Sequence, residues 1–335
     1  MSIENKKENT MKYFQEIEKT PPEVYYHYTS VESLFHIVES QTFRLTNLRS
    51  SNDKKELFYT YSQFCVDIDK IIREEKSDSR KKILQELKEK ANTITIKADK
   101  KEEVFALCLC EQKDSLTHWD RYTGNCKGVS IALNVAALQI LYNRYNIDFF
   151  TDQLFKTDYI AYSDDDRLRL INHTIDFFVK RFLDLKEQGK IESGSGLMKT
   201  ILPVTYSDVR TFIKNSAFFD EDEIRLLYSS LSCDTISDII NSVAPSISDD
   251  FYNNVSEHYS QTIDTMKIRE KQFACFKGGI RSYHDLCLKD IWGDGLIPEI
   301  ILGPMCTQSK SELRAFLDKY GLRKTRIYES KVPIR

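Results

Sequence analysis

His27 stands in a short aromatic run, Val24-Tyr25-Tyr26-His27-Tyr28, and Arg44, Asn47, Arg49, Asn52 and Asp53 return soon after it. An imidazole can hold or move a proton near neutral pH, and a guanidinium can bind phosphate oxygens in pairs. With Tyr28 and Thr29, these residue types suit a phosphate-bearing ligand held where a strand ends beside a helix N-terminus. A second group is Asp114, Ser115, His118, Trp119, Arg121 and Tyr122. Trp119 and Tyr122 can hold a planar heterocycle such as nicotinamide or a base by stacking, or Trp119 can simply fill the core under the strand ends. A third group, late in the chain, offers an acid in Tyr283-His284-Asp285. Taken alone, a histidine at a strand end is more often a hydrogen-bonded structural residue than a catalytic one.

The elements that must position these residues are legible in outline. Val24–Tyr28 is β-prone, Thr29 or Ser30 can cap a helix, and Leu34, Phe35, Ile37 and Val38 supply its apolar face. Residues 43–48 alternate as a second strand that ends in the turn Ser51-Asn52-Asp53. The stretch LFYTYSQFCVDIDKII and the charged segment after it read as helices with solvated faces. Val104–Leu109 and Gly128–Leu133 read as strands, with a short helix or loop over 113–122 between them. From Asn134 to about Lys271 the spacing predicts helices, including ALQILYNRYNIDFF, DRLRLINHTIDFFVKRFLDLKEQ and EDEIRLLYSSLSCDTISDIINSV, with Glu192–Gly196 as a loop. Phe273–Phe276 and Asp285–Leu288 read as strands around a Gly278-Gly279 turn. The chain closes as strand, Gly-Pro turn, a helix capped near Ser309 or Ser311, a stop at Gly321 and a last strand.

Composition narrows the function classes. With 335 residues, 41% hydrophobic and 30% charged, the chain fits an ordinary folded protein with a sizeable core. A net charge of −3 gives no global pull toward nucleic acid or an anionic membrane. No apolar run is long enough to span a bilayer, and the N-terminus carries no hydrophobic signal region, so a cytoplasmic location is expected. The eight cysteines include no C-x-x-C pair, and the six histidines are scattered, which argues for reduced thiols and no metal site. There is no G-x-S-x-G and no G-x-x-x-x-G-K.

His27-Tyr28-Thr29, then a helix, then Arg44-Leu45-Thr46-Asn47 and Asn52-Asp53-x-x-Glu56 resemble the opening of a large family of uncharacterised bacterial domains, many found near phage-defence genes. That opening is also similar, more distantly, to the first strand-helix-strand of ADP-ribosyltransferases, including DNA-modifying toxins that begin with a His-x-Thr strand. In the uncharacterised family the middle block reads Asp-x-x-x-x-Trp-x-x-Tyr followed by Gly, matched by Asp114, Trp119, Tyr122 and Gly128. It closes with Gly-Pro after a strand and a Ser-x-x-x-x-Arg tail, matched by Ser330 and Arg335. The family also carries Lys, an apolar residue and Glu-x-Glu-x-Arg. In the 272–290 block Lys277 and Ile280 fit, while Tyr283, Asp285 and Cys287 stand where Glu, Glu and Arg are expected.

The resemblance implies an α+β protein with a split, mostly antiparallel sheet of ADP-ribosyltransferase type and a large helical insertion. Its expected divisions are 1–135 for the first half of the core, 136–270 for the helical insertion and 271–335 for the second half. It implies NAD as substrate, with His27, Asp285 and Tyr122 catalytic. Cofactor contacts would come from His27, Tyr28, Thr29, Arg44, Asn47, Arg49, Asn52, Asp53 and Trp119. The implied function is an ADP-ribosyltransferase-like effector, possible toxin of an anti-phage system; the alternatives are an NAD glycohydrolase or a binding or sensor module without turnover. A protein or small-molecule acceptor is favoured over nucleic acid, because basic residues are interleaved with acids except in Arg314–Arg335.

Overall fold

The computed structural model describes residues 23–50, 57, 59–91, 103–138, 155–189, 197–230, 270–276 and 279–333. Asn52, Asp53, Glu56, the first 22 residues, most of ALQILYNRYNIDFF and the Glu192–Gly196 loop lie outside them.

The aromatic run forms strand β1, Val24–Thr29. Ser30 then caps helix α1, Val31–Ser40, by accepting the Ser33 N–H, and Leu34, Ile37 and Val38 are its buried face. Gln41 turns the chain at φ 54 into β2, Thr42–Asn47. Two helices follow, α2 (Tyr61–Glu74, opened by a Thr60/Gln63 capping box) and α3 (Asp78–Ala91). Next come β3 (Glu103–Cys110), α4 (Leu116–Tyr122), β4 (Val129–Asn134) and β5 (Phe155–Tyr159). Helices α5 (Asp164–Glu187) and α6 (Leu197–Val209) lead through 3-10 turns to β6, Glu223–Ser230. The chain ends with the hairpin β7 (Gln272–Phe276) and β8 (Gly279–Cys287), then β9 (Glu299–Leu302), α7 (Lys310–Lys319) and β10 (Arg326–Glu329).

The strands make one open, mostly antiparallel sheet, β10-β9-β4-β1-β3-β2-β8-β7, with β6 also on β3 and β5 on β6; β9 and β10 run parallel. The sheet parts at its centre. Strand β3 pairs with β6 along its whole length, while its other edge is shared by two strands that diverge. β1 meets it at Tyr26↔Cys110, and β2 meets it at Thr46↔Ala106 and Asn47↔Phe105. Between those contacts the edge near Cys108 is covered by neither strand.

Alternation sorts the two faces. Tyr25, Phe43, Leu45, Phe105, Leu107, Leu109, Ile131 and Leu226 join residues of α1 and α7 in the main core. On the opposite face Tyr26, Tyr28, Cys110, Ala132 and Ile301 pack under Trp119 of α4. A second apolar core is built by helices alone: Phe64, Ile68 and Ile71 of α2, Leu84 and Leu87 of α3, Ile171, Ile175 and Phe178 of α5, and Ile201 and Tyr206 of α6.

Two sequence expectations change here. EDEIRLLYSS forms a short 3-10 turn and an edge-to-edge strand rather than a helix, with Val104↔Ser229 through Cys110↔Glu223 in register on β3. Ile224, Leu226 and Tyr228 alternate into the main core while Glu223, Arg225 and Leu227 face the other way, so the period is two. The 136–270 segment is thus helical in α5 and α6 but contributes β5 and β6 to the sheet. The β7–β8 hairpin is also longer than expected, with β8 starting at Gly279.

Candidate functional site

Where β1 and β2 diverge, the His27 ring occupies the gap. Its Nδ1 lies 2.9 Å from the Cys108 carbonyl on β3, and its ring meets Phe43 of β2 edge-on at 5.7 Å. A carbonyl only accepts, so Nδ1 carries the proton and Nε2 holds the lone pair. Burial pushes the His27 pKa down, against the Cys108 hydrogen bond, so the ring is neutral at pH 7. The residue nevertheless keeps partial access to solvent.

On the other side of β3, Cys108 faces Arg225 across the β3–β6 ladder. Its thiol is open to solvent but pushed well above its usual pKa by desolvation and by Glu223, which makes it a poor nucleophile. Glu223 accepts Arg225 Nε at 2.7 Å and NH2 at 3.2 Å, and Lys214 Nζ at 2.8 Å. Lys214 Nζ also reaches Glu221 at 2.6 Å, and Arg121 NH1 lies 3.2 Å from the same carboxylate. Burial opposes ionisation of Glu223, but Arg225 and Lys214 prevail and hold it at about 2. Lys214 is correspondingly held above its ordinary value, Glu223 and Glu221 outweighing its desolvation. Tyr122 is pushed up by burial and by donating to Glu221, so it stays a phenol. His118 ties the same turn down: Nε2–H donates to the Glu221 carbonyl at 2.9 Å, and Nδ1 lies 2.9 Å from Ser115 Oγ.

Glu221-Asp222-Glu223-Ile224-Arg225 is a Glu-x-Glu-x-Arg sequence, with Lys214 upstream of it. The pattern expected in part at Tyr283, Asp285 and Cys287 thus occurs in full at Glu221, Glu223 and Arg225. Asp285 sits on β8 opposite Arg44, separated from β3 by β2, whereas Glu223 pairs directly with Cys110. The letters carry this signal, but EDEIRLLY also has helical apolar spacing that competes with it.

Other expected ligand contacts are already engaged. Trp119 has no accessible face, and its Nε1 donates to Asp114 at 2.7 Å. It fills the core and cannot stack on a ligand. Tyr28 is buried, donates to the Gln112 carbonyl at 2.8 Å and accepts the Ser115 N–H at 3.0 Å. Asn47 is buried, donates to Ser282 Oγ at 3.0 Å and accepts the Arg49 N–H at 2.9 Å. These three are corrected from ligand contacts to structural ones, because their polar atoms satisfy buried backbone or neighbouring side chains. Thr29 ends β1 opposite Val129, Arg44 is exposed with its guanidinium 4.5 Å from the Tyr283 ring centre, and Arg49 is exposed in the turn after β2.

Asp114 joins the middle block to the C-terminus. Besides Trp119 it accepts Ser330 Oγ at 2.6 Å and the Lys331 N–H at 2.7 Å. Burial works against its charge, and these hydrogen bonds hold its pKa below the usual carboxylate range. Gly128 is required by close packing: a Cβ there would lie 2.1 Å from the Thr29 carbonyl oxygen. Among the described residues no group of three or more His, Cys, Asp and Glu side chains could hold a metal ion, and no helix is long and apolar enough to cross a membrane.

The fold and site thus define a mixed α/β protein with a parted, mostly antiparallel sheet, a histidine at the parting and an acid pair across β3 from it. Residues 118–226 match the model of a family described as a protein of unknown function (DUF2971). That span runs from His118 and Trp119 through Tyr122, Gly128 and Lys214 to Glu221, Glu223 and Arg225. No curated protein and no solved structure matches the chain.

Proposed function

We propose that this chain is an ADP-ribosyltransferase-like enzyme that takes NAD as its substrate, acting as an effector in bacterial defence. The observation that carries the reading is the placement of neutral His27 in the gap of the parted sheet, with the Glu-x-Glu-x-Arg strand paired to the other edge of β3 at Cys108. His27 would hold the ribose on the nicotinamide side, with Thr29 at the strand end. Arg44 or Arg49, both exposed, would meet the pyrophosphate. Breaking the nicotinamide–ribose bond develops positive charge on the ribose, which a fixed anion stabilises. Glu223, ionised at neutral pH, replaces Asp285 in that role, and Tyr122 orients Glu221 rather than stacking on the ring. A protein or small-molecule acceptor is preferred over nucleic acid. Arg314, in the one basic stretch, is spent on Asp318 and on the Thr325 and Leu322 carbonyls.

The test is nicotinamide release from NAD, with binding followed by calorimetry. His27→Ala is expected to weaken NAD binding, and Glu223→Asp, with its carboxylate withdrawn by one methylene, to slow release by about a hundredfold. NAD binding unchanged in His27→Ala would remove the assignment. A second reading, a binding module without turnover, draws on the ion-pairing of both carboxylates with Lys214, Arg225 and Arg121. NAD binding without nicotinamide release would select it.

A further inference from the structure

We propose that the outer edge of β10 is a docking site for an extended acidic segment of a partner protein, which adds to the sheet as a further strand. This inference does not rest on the NAD reading. β10 ends the strand path and, among the described residues, pairs only with β9. The Arg326 N–H bonds inward to the Pro298 carbonyl at 2.9 Å and the Ser330 N–H to the Leu302 carbonyl at 2.8 Å. Alternation then turns the peptide groups of Ile327 and Glu329 outward, where an added strand finds its hydrogen bonds.

The side chains select the charge. Arg326 and Tyr328 project to the face that carries Glu299 and Ile301, and Lys113 joins them from the turn before α4. Lys113 and Arg326 share one carboxylate, Glu299, at 2.6 and 3.4 Å, with Asp114 also beside Lys113. Lys310 pairs with Glu329 of the strand itself at 3.1 Å, so the positive surplus comes from the exposed lysines at the strand's ends. Glu299 is only 5% exposed, whereas Arg326 is 64% and Lys113 45% exposed, so both cations face solvent. Lys324 and Lys331 flank the strand at its two ends, both exposed. Such cations on an edge deter pairing with other edges of like charge but invite an acidic strand. Single-stranded nucleic acid fits less well. It has no peptide groups for the open edge, and the Tyr328 ring on which a base would stack carries Lys113 at 4.5 Å and Arg326 at 5.7 Å.

The probe is a fluorescent peptide of roughly ten residues with alternating Glu and Val, long enough to cover one strand. It is compared with a Lys-for-Glu version, a version N-methylated at alternate amides, and a single-stranded DNA oligonucleotide. Binding of the acidic peptide to the full chain is expected to fall about tenfold or more in Lys113→Gln/Arg326→Gln. Glu329→Pro, which removes one outward N–H, should weaken binding relative to Glu329→Gln, which removes the same charge and the Lys310 ion pair but keeps the N–H; the side chain is exposed, so the fold should tolerate both. N-methylation should abolish it. Unaltered melting temperatures identify variants that still fold. Equal binding of the Lys peptide, indifference to the charge variants, or indifference to N-methylation would overturn the proposal, and tighter DNA binding lost in the same variants would reassign the edge to nucleic acid.

Discussion

At the scale of single residues, Glu223 is the side chain with most at stake. It is buried, it pairs with both Lys214 and Arg225, and its folded pKa of about 2 lies below its ordinary value. A depressed carboxylate contributes stability that is fully present above its unfolded pKa and is lost as pH falls through the folded value. Wild-type stability is therefore expected to drop steeply between roughly pH 4.5 and pH 2. Glu223→Gln should flatten that limb and cost about 3–5 kcal/mol at pH 7, because it leaves buried Arg225 without its carboxylate while Lys214 keeps Glu221. Urea unfolding across pH checks both, and an unchanged acid limb would mean that Glu223 is not held ionised by these partners. Asp114 is a milder case of the same sign. Asp114→Asn keeps the shape but weakens three hydrogen bonds, and is expected to free the 330–333 segment for proteolysis before the sheet unfolds.

At the scale of elements, the turn from α4 into β4 is the tightest junction beside the site. Gly124, Asn125 and Cys126 all have positive φ, and Gly128 then passes against the end of β1. The two glycines there serve different purposes. Gly124 has open space around it and is needed for its φ of 65, so Gly124→Ala should cost only about 1 kcal/mol of backbone strain. At Gly128 a methyl group would run into the Thr29 carbonyl, and its cost should exceed the roughly 1–3 kcal/mol of ordinary overpacking. Thermal melts of the two variants side by side decide it. Equal losses would mean that β1 and β4 can move apart freely.

At the scale of the whole molecule, two cores divide the chain in a way that its order does not suggest. The main core sits under the sheet, while α2, α3, α5 and α6 share a helical core drawn from residues on both sides of β3 and β4. Phe178, buried in the helical core, should cost about 3–5 kcal/mol when changed to Ala. Native-state hydrogen exchange in that variant is expected to release amides of these four helices ahead of those in β1, β3 and β4. Simultaneous release of helices and strands would show one cooperative unit instead.

Local pattern in the amino-acid sequence was enough for β1, α1 and β2, for β9 and α7, and for α5, because each carries its own period and caps. The family resemblance drew attention to Asp114 and Gly128, which the structure places in a hydrogen-bond hub with the C-terminus and against the Thr29 carbonyl. Local pattern went wrong at Glu221–Tyr228, where Ile224, Leu226 and Leu227 satisfy both a helical and a strand spacing. What separates the two is pairing with β3, and that partner lies more than a hundred residues away in the chain. The same holds for Trp119, Tyr28 and Asn47. Each has the chemistry to meet a ligand, and only the tertiary structure shows that Asp114, the Gln112 carbonyl and Ser282 already meet them. Residue type determines which chemistry a side chain can do; whether an atom is left to do it is decided by what the fold brings against it.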